Sequence, residues 1–416
     1  MQELRQFMKS LRKNELLLEV KNTPTEPYMA ANLLVSAGKL GKAVLFAADE
    51  EDNMSLIGGV LSTRKQIALA LNCEEKSIGK RLLQGIAGGI TPEQSAGAPC
   101  QEAELPLKLT KLPVQLNHPL DTGAFITGGI VISKSLQGGS QNLSFQRMQV
   151  LDDQHLSIMP TPGGTVANFL AEARQLGCNL PVAICIGAAP VVYLAAAMKY
   201  SGDELQLAGE LLKAAVKVTK TESGSLMVPA DAEIVIEGEI LFDSLVEEAS
   251  ITDFLGKSSS SGAVPRLKIT KISGRKNPIF QTIIPGSEEH LLLAHSVTRE
   301  PLICQALIAW EELVQDVAVP TWGSGFVAIV RVATMEKWEL LELGKTVLKA
   351  HRNLRIVFLV DTETDIQKPA ELLKLYCCAK KEHYYLPKEE GHPMDPAAER
   401  GLVTKEIIIG RKHFHL

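Results

Sequence analysis

The chain has 416 residues, of which 45% are apolar and 22% charged, and its formal net charge is −5. That length allows two or three domains with ample core, and the lack of a basic excess argues against a nucleic-acid partner, since nothing is available to neutralise a phosphate backbone. The seven cysteines form no CxxC pair and no Cys/His cluster, and several lie in apolar runs, so they read as buried free thiols of a cytoplasmic protein.

In chain order, Leu4, Phe7, Met8 and Leu11 recur at helical spacing with charges between them, unlike the unbroken apolar core of a signal peptide. A helical pattern at 28–39, the strands KAVLFAA and SLIGGVL, and the helices TRKQIALAL and EEKSIGKRLLQGI then suggest an α/β unit ending near residue 100. The proline-bearing segment GAPCQEAELPLKLTKLPVQLNHPL reads as a connector. From about 122 the character changes. FITGGIVIS, NLSFQRMQVLD and LSIM are strand-like and broken by GG and DD, which predicts an antiparallel sheet or barrel.

The helix TVANFLAEARQL follows. Pro181 to Met198 carries no charge, but Gly187 and Pro190 interrupt it, so a buried strand, a tight turn and a helix fit better than a membrane span. A helical run over 203–216 and the strands AEIVIEGEI, RLKITKISG and PIFQTII come next, with GKSSSSG at 256–262 as a polar mobile loop or lid. From about 300 the pattern returns to α/β: FVAIVRVA, WELLELGKTVLKA, RIVFLV and PAELLKLYCCAKK. The tail after YYLPKEEGHPMD reads as irregular until KEIIIG.

No dinucleotide loop, Walker loop, zinc-protease motif or nucleophile elbow stands in a convincing context, and the glycine pairs at 128–129, 138–139 and 163–164 read first as turns. Two constellations carry more. Asn142 and Ser144 share one face of a strand while Leu143 and Phe145 share the other, and Arg147 follows where the alternation breaks. Downstream, VEEASITDFL carries Glu247, Glu248 and Asp253 among small and apolar residues. An arginine between two carboxylates can favour ionisation of one acid while burial keeps the other protonated, but a solvated acidic loop is an equal reading of the spacing. Glu204 in SGDELQLAGELL is either a first-turn acid favoured by the helix dipole or a ligand for a hard cation.

Together these residues resemble the UbiD family of reversible decarboxylases. FITGG–NLSFQR–MQVLDD is similar to the family's N-x-[SG]-x-x-R strand, PVAICIGAAP to its central strand and turn, and DELQLAGELL with VPADAEIVIEGEI to the segment bearing a metal-binding glutamate and the strand after it. The resemblance implies a UbiD-like mixture of α/β and α+β structure: a central split β-barrel, like that of flavin reductases, at 113–300, flanked by α/β domains at 1–112 and 301–416. It implies prenylated FMN as cofactor, lying between the barrel and the other domains, with manganese and potassium as accompanying cations. Asn142 and Glu204 match two of the three manganese ligands. Thr127, the strand residues Leu143, Ser144, Phe145, Gln146 and Arg147, then Gly164, Thr165 and Met198 match positions around the flavin, and Lys349 matches a lysine reaching its phosphate.

Arg147, Glu248 and Asp253 match the catalytic Glu–Arg–Glu/Asp network, with Asp253 as proton donor. The steps of five residues from Glu248 to Asp253 and forty-four from Glu204 to Glu248 fit the pattern. The implied partners are a small unsaturated or aromatic carboxylic acid, a flavin prenyltransferase that supplies the cofactor, and further copies of the chain in a dimer or larger homo-oligomer. Two departures keep open a second reading, a flavin-binding paralogue without decarboxylase activity that serves as a carrier or assembly subunit. Thr165 stands where the family carries a histidine ligand, and EASITD replaces a glycine- and proline-bearing loop.

Overall fold

A computed structural model describes residues 3–48, 54–333, 335–366, 368–378, 381–387 and 402–410. The chain divides into two compact units, Met1–His290 and Leu291–Leu416.

In the first unit, the helix Leu4–Lys13 buries Leu4, Phe7, Met8 and Leu11, the stripe that its spacing marked out. Arg5, on the same helix, reaches the fully buried Glu233 with two hydrogen bonds of 2.7 Å. Four strands form a small sheet in the order Leu17–Lys21, Ala43–Ala47, Ser55–Gly58 and Ile279–Thr282. The last of these is PIFQTII, whose position in the sequence suggested the barrel; it pairs parallel to Ser55–Gly58 instead. Sequence distance gave no hint of that pairing, because only the packed core decides which edge an apolar strand covers.

The main sheet has nine strands, and every pairing in it is antiparallel. Eight run in the order Phe125–Ile126, Arg147–Val150, His155–Met159, Ala263–Gly274, Ile234–Glu247, Leu180–Ile186, Ile130–Lys134 and Gln141–Phe145, and Ala103–Glu104 pairs with Ala263–Gly274. NLSFQRMQVLD is therefore two strands, not one, with Gln146 alone between them. They occupy the eighth and second places in the order. In a flat sheet these places would lie about 29 Å apart at strand spacing. The chain from Phe145 to Arg147 spans at most about 7 Å. The sheet must therefore curl, as in a split barrel. Inside it lie Val131, Met148, Leu156, Ile184, Ile236 and Leu267, in one core with Ala30, Leu34, Phe46 and Phe280 of the smaller sheet and its helix.

Pro181 to Met198 resolves into the strand Leu180–Ile186 and the helix Pro190–Ala197 with Pro190 in its first turn. Among the described residues no helix is long and apolar enough to cross a membrane. The run expected to be helical over 203–216 stops at Leu212, where Lys213 turns left-handed (φ 58°), and Lys217–Lys220 is a strand. Of the seven free cysteines only Cys100 and Cys185 are buried, while Cys178, Cys377 and Cys378 are exposed, so the expectation of buried thiols holds for two.

In the second unit a five-stranded sheet runs Val314–Ala318, Val327–Val332, Ile356–Val360, Leu402–Gly410 and Lys381–Pro387. The three central strands are parallel and the two outer ones antiparallel to them. Helix Lys337–Ala350 packs on one face through Leu340, Leu343 and Val347, and helix Pro369–Cys378 on the other through Leu372. Of the stretch expected to be irregular, 396–404, residues 402–404 already belong to the strand Leu402–Gly410, and 396–401 lie outside the described residues.

Candidate functional site

The strand Gln141–Phe145 is last in the sheet order, so among the described residues the outward N–H groups of its backbone meet no further strand. One of them, Leu143 N–H, donates to Glu204 Oε2 at 2.9 Å. Glu204 opens the helix Glu204–Leu212, which Asp203 caps by accepting from Leu205 N–H. Its side chain is 4% exposed. Burial pushes the carboxyl up to about 7 and the neighbouring Asp203 adds to the rise, against the Leu143 N–H that favours the ionised form. Among the described residues no cationic side chain pairs with it.

The polar face of the strand behaves as the alternation suggests. Asn142 Nδ2 and Gln146 Nε2 both donate to Ser144 Oγ, at 3.0 and 3.1 Å, while Leu143 is buried on the opposite side. Gln146 Oε1 accepts from Thr161 N–H at 3.0 Å, tying the strand to the PTPGG turn. Gly164 ends that turn as the N-cap of the helix Thr165–Leu176, and Thr165 is exposed. Asn142, Ser144, Gln146 and Glu204 thus gather around one strand end, with the turn before Thr165 attached to it. Among the described residues no group of three or more His, Cys, Asp or Glu side chains could hold a metal ion. A cation here would rest on the carboxylate of Glu204 with amide and hydroxyl oxygens, a donor set suited to hard cations.

Beyond Gln146, Arg147 opens the next strand and meets Glu248 in a bidentate pair, Nε to Oε1 at 2.8 Å and Nη2 to Oε2 at 2.5 Å. The Glu248 side chain has no solvent exposure and that of Arg147 has 28%. Glu248 directly follows the long strand Ile234–Glu247, and its N–H donates to Gly262 O at 3.0 Å, extending that ladder by one step. Beyond it, Ile251–Thr252 pairs with Ser258–Ser259, so 256–262, expected to be a mobile loop or lid, is the return limb of a hydrogen-bonded ribbon. From this limb Ser261 N–H donates to Glu248 Oε2 at 3.0 Å, Ser261 Oγ accepts from Arg147 Nη2 at 2.6 Å, and Ser260 Oγ donates to Glu248 O at 2.8 Å.

Asp253 lies at the turn of the same ribbon and is half-buried. Its Oδ1 accepts from Leu255 N–H at 2.8 Å and Lys257 N–H at 2.9 Å, which leaves Oδ2 outside these bonds. No hydrogen bond joins it to Arg147 or Glu248 among the described residues. Its near neighbour is His290, whose ring stands edge-on to Phe254 with centroids 6.4 Å apart and accepts from Gly286 N–H at Nδ1. Burial holds His290 down at about 4, opposed by the charge of Asp253. The adjacent Glu289 accepts from Gly59 and Leu61 N–H, both at 2.8 Å, and burial pushes its carboxyl up to about 7.

The buried Tyr193 bridges Gly128, next to Thr127, and Phe145. Its hydroxyl donates to Gly128 O at 2.8 Å and accepts from Gly187 N–H at 3.1 Å, and its ring lies 5.7 Å from that of Phe145. Met198 ends the helix that carries Tyr193 and is 6% exposed. Thr127 Oγ1 stands 3.5 Å from Thr282 Oγ1. Gly128 permits this approach, since a Cβ there would sit 2.5 Å from Gln281 O. Lys349 lies in the last turn of the helix Lys337–Ala350, in the other unit.

Sequence reasoning assigned no role to Ser260, Ser261, Glu289 or His290. A signal for the two serines was available. Asp253 and Gly256 in DFLG occupy the first and fourth places of a β-turn, which folds 258–262 back onto 247–252. Lone histidines and glutamates give no such signal.

Comparison with known proteins bears on this geometry. The family model described as UbiD, the 3-octaprenyl-4-hydroxybenzoate carboxy-lyase Rift-related domain, matches residues 92–288. Anhydromevalonate phosphate decarboxylase of Methanothermobacter thermautotrophicus is 26% identical over 409 residues, covering 97% of this chain and 95% of that protein. Phenolic acid decarboxylase of Bacillus subtilis is 29% identical over 314 residues, covering 72% and 66%. The structure of the UbiD-class enzyme HmfF from Pelotomaculum thermopropionicum, in complex with FMN, superposes with a TM-score of 0.92 at 25% identity, covering 100% of this chain and 95% of that one.

Proposed function

Because the chain belongs to the UbiD family, we propose that it is a prenylated-FMN-dependent, reversible decarboxylase of a small α,β-unsaturated or aromatic carboxylic acid. The observation that carries this reading is the buried Arg147–Glu248 pair, held at the base of the ribbon whose turn bears Asp253. A solvated acidic loop would not bury one carboxylate against an arginine and cap it from a second strand.

When bound, the prenylated flavin supplies an electron sink for the charge left as carbon dioxide departs. The remaining work falls to the chain. Glu204 and Asn142, with Thr165, would hold manganese at the cofactor phosphate, and the buried carboxyl of Glu204 lacks the cation that such a site provides. Potassium would accompany it. Thr127, Leu143, Ser144, Phe145, Gln146, Gly164 and Met198 would form the walls around the flavin. Asp253 Oδ2 would deliver the proton to the carbon that loses carbon dioxide, so that one C–C bond breaks and one C–H bond forms. Arg147 and Glu248 orient the reacting acid. The same reading includes the division into 1–112, 113–300 and 301–416, a cytoplasmic homo-oligomer, and cofactor supply by a flavin prenyltransferase.

A second reading, a flavin carrier without turnover, draws on the exposed threonine at 165 in place of a stronger metal ligand. The protein co-produced with a flavin prenyltransferase separates the two. Denaturing release of the ligand, with mass and metal measured, is expected to give prenylated FMN and stoichiometric manganese, with turnover of phenolic or other unsaturated acids. Plain FMN, or no flavin, with no turnover, would move the assignment to the carrier.

A further inference from the structure

The return limb of the ribbon adds a residue to the site that the family resemblance does not supply. Glu248 Oε2 receives two donors, Arg147 Nη2 and the backbone N–H of Ser261. The same Arg147 Nη2 also donates to Ser261 Oγ at 2.6 Å. Arg147, Glu248 and Ser261 thus close a three-membered hydrogen-bonded ring, in which the serine contacts both ends of the ion pair. Arg147 needs such a partner. It opens the strand Arg147–Val150 and its side chain is 28% exposed, so packing alone does not fix its fork. The bidentate pair sets the guanidinium plane, and the serine hydroxyl takes the remaining hydrogen on the shared nitrogen, removing rotation about that plane.

We infer that Ser261 is a positioning residue, one that holds the guanidinium of Arg147 in register with Glu248 at the base of the ribbon. The inference rests on the proposed decarboxylase reading. It goes beyond that reading by giving the serine run a part in the site, acting through Arg147 without touching substrate or cofactor. A neighbouring serine provides the contrast. Ser258 Oγ donates to Leu120 O at 3.0 Å, on the same limb but away from the ion pair. If the limb matters only as a stiff ribbon, the two serines are equivalent. If the contact to Arg147 matters, they are not.

The test uses the cofactor-loaded full chain and four variants: Ser261→Ala, Ser261→Thr, Ser258→Ala and Glu248→Gln. Flavin content and melting temperature are recorded for each, to separate folding from function. Ser261→Ala is expected to lower kcat about tenfold with KM and flavin content unchanged, as a displaced orienting group would. Ser261→Thr, which keeps a hydroxyl, restores kcat to within about threefold of wild type, and Ser258→Ala matches wild type. Wild-type kcat in Ser261→Ala, an equal loss in Ser258→Ala, or no recovery in Ser261→Thr would overturn the inference and leave the decarboxylase reading standing, provided Glu248→Gln is inactive. A wild-type protein loaded with prenylated flavin that turns over no acid, or a Glu248→Gln variant that turns over as well as wild type, would bring down the decarboxylase reading and the inference with it.

Discussion

On one side of Gln146 a buried acid, Glu248, is met by an arginine and a serine N–H; on the other a buried acid, Glu204, is met among the described residues by backbone N–H groups alone. Both carboxylates are almost sealed from water, and both attach to the single stretch that joins the last strand of the sheet order to the second. The difference lies in what neutralises them. The Arg147–Glu248 corner is complete within the chain, as suits groups that must be in place before substrate arrives. Among the described residues no cation pairs with Glu204, and its carboxyl is lifted to about 7, as would suit the proposed ligand whose counter-charge arrives with an ion. On the proposed reading, a single curled sheet carries one preformed corner and one that is finished only by loading.

Breaking the complete corner gives the largest effect. Glu248→Gln removes the charge and leaves Arg147 half-satisfied, and kcat is expected to fall about 10²–10⁴-fold while flavin content stays at the wild-type level. Turnover measured beside flavin absorbance checks this, and an active variant would mean that the pair is structural.

Next comes the incomplete corner, where stability depends on pH. The Glu204 carboxyl sits at about 7 in the folded protein against an ordinary 4.5. A carboxyl raised on folding contributes fully below its unfolded value, and that contribution is lost as pH rises through the folded one. In the metal-free protein Glu204 is therefore expected to contribute about 3 kcal/mol at pH 4.5 that is gone at pH 8, while His290, held down at about 4, works in the opposite direction over that window. Glu289 and Asp231, raised to about 7 and about 6 by burial, share the window. Glu204→Gln flattens its own part and makes the metal-free protein more stable at pH 8. Added manganese then stabilises the wild type and not the variant. Melting curves at both pH values, with and without the ion, would expose a variant that still responds.

The smallest effect sharpens the comparison by touching neither corner. Tyr193→Phe deletes the hydroxyl between Gly128 O and Gly187 N–H, leaving a buried donor and acceptor without their shared partner. Stability is expected to fall by about 1–3 kcal/mol, read by denaturant unfolding, with flavin content unchanged.

Much of this was legible in the residues themselves. The stripe Leu4, Phe7, Met8 and Leu11, the charge-free strand and helix after Pro181, and the shared face of Asn142 and Ser144 all follow from period and turn chemistry, which act over a few positions. The break at Arg147 was visible as a lapse in alternation, but its meaning was not. Alternation says which face a side chain takes, not that two strands joined by one residue belong to distant places in a sheet. Likewise the serine run reads as flexible by composition, and only its pairing with 251–252 turns it into a wall for the ion pair.

By itself the sequence determined the local elements, the residue types needed for an acid–arginine site, and the family pattern that joins them, because each depends on neighbours within a turn or a strand. The tertiary structure alone decided that PIFQTII leaves the barrel for the smaller sheet, that Ser261 rather than Asp253 closes on Arg147, and that Glu204 is buried without a cation among its described neighbours. Those outcomes depend on which surfaces exclude water together, and contacts between residues sixty or more positions apart leave no periodic trace in a single chain.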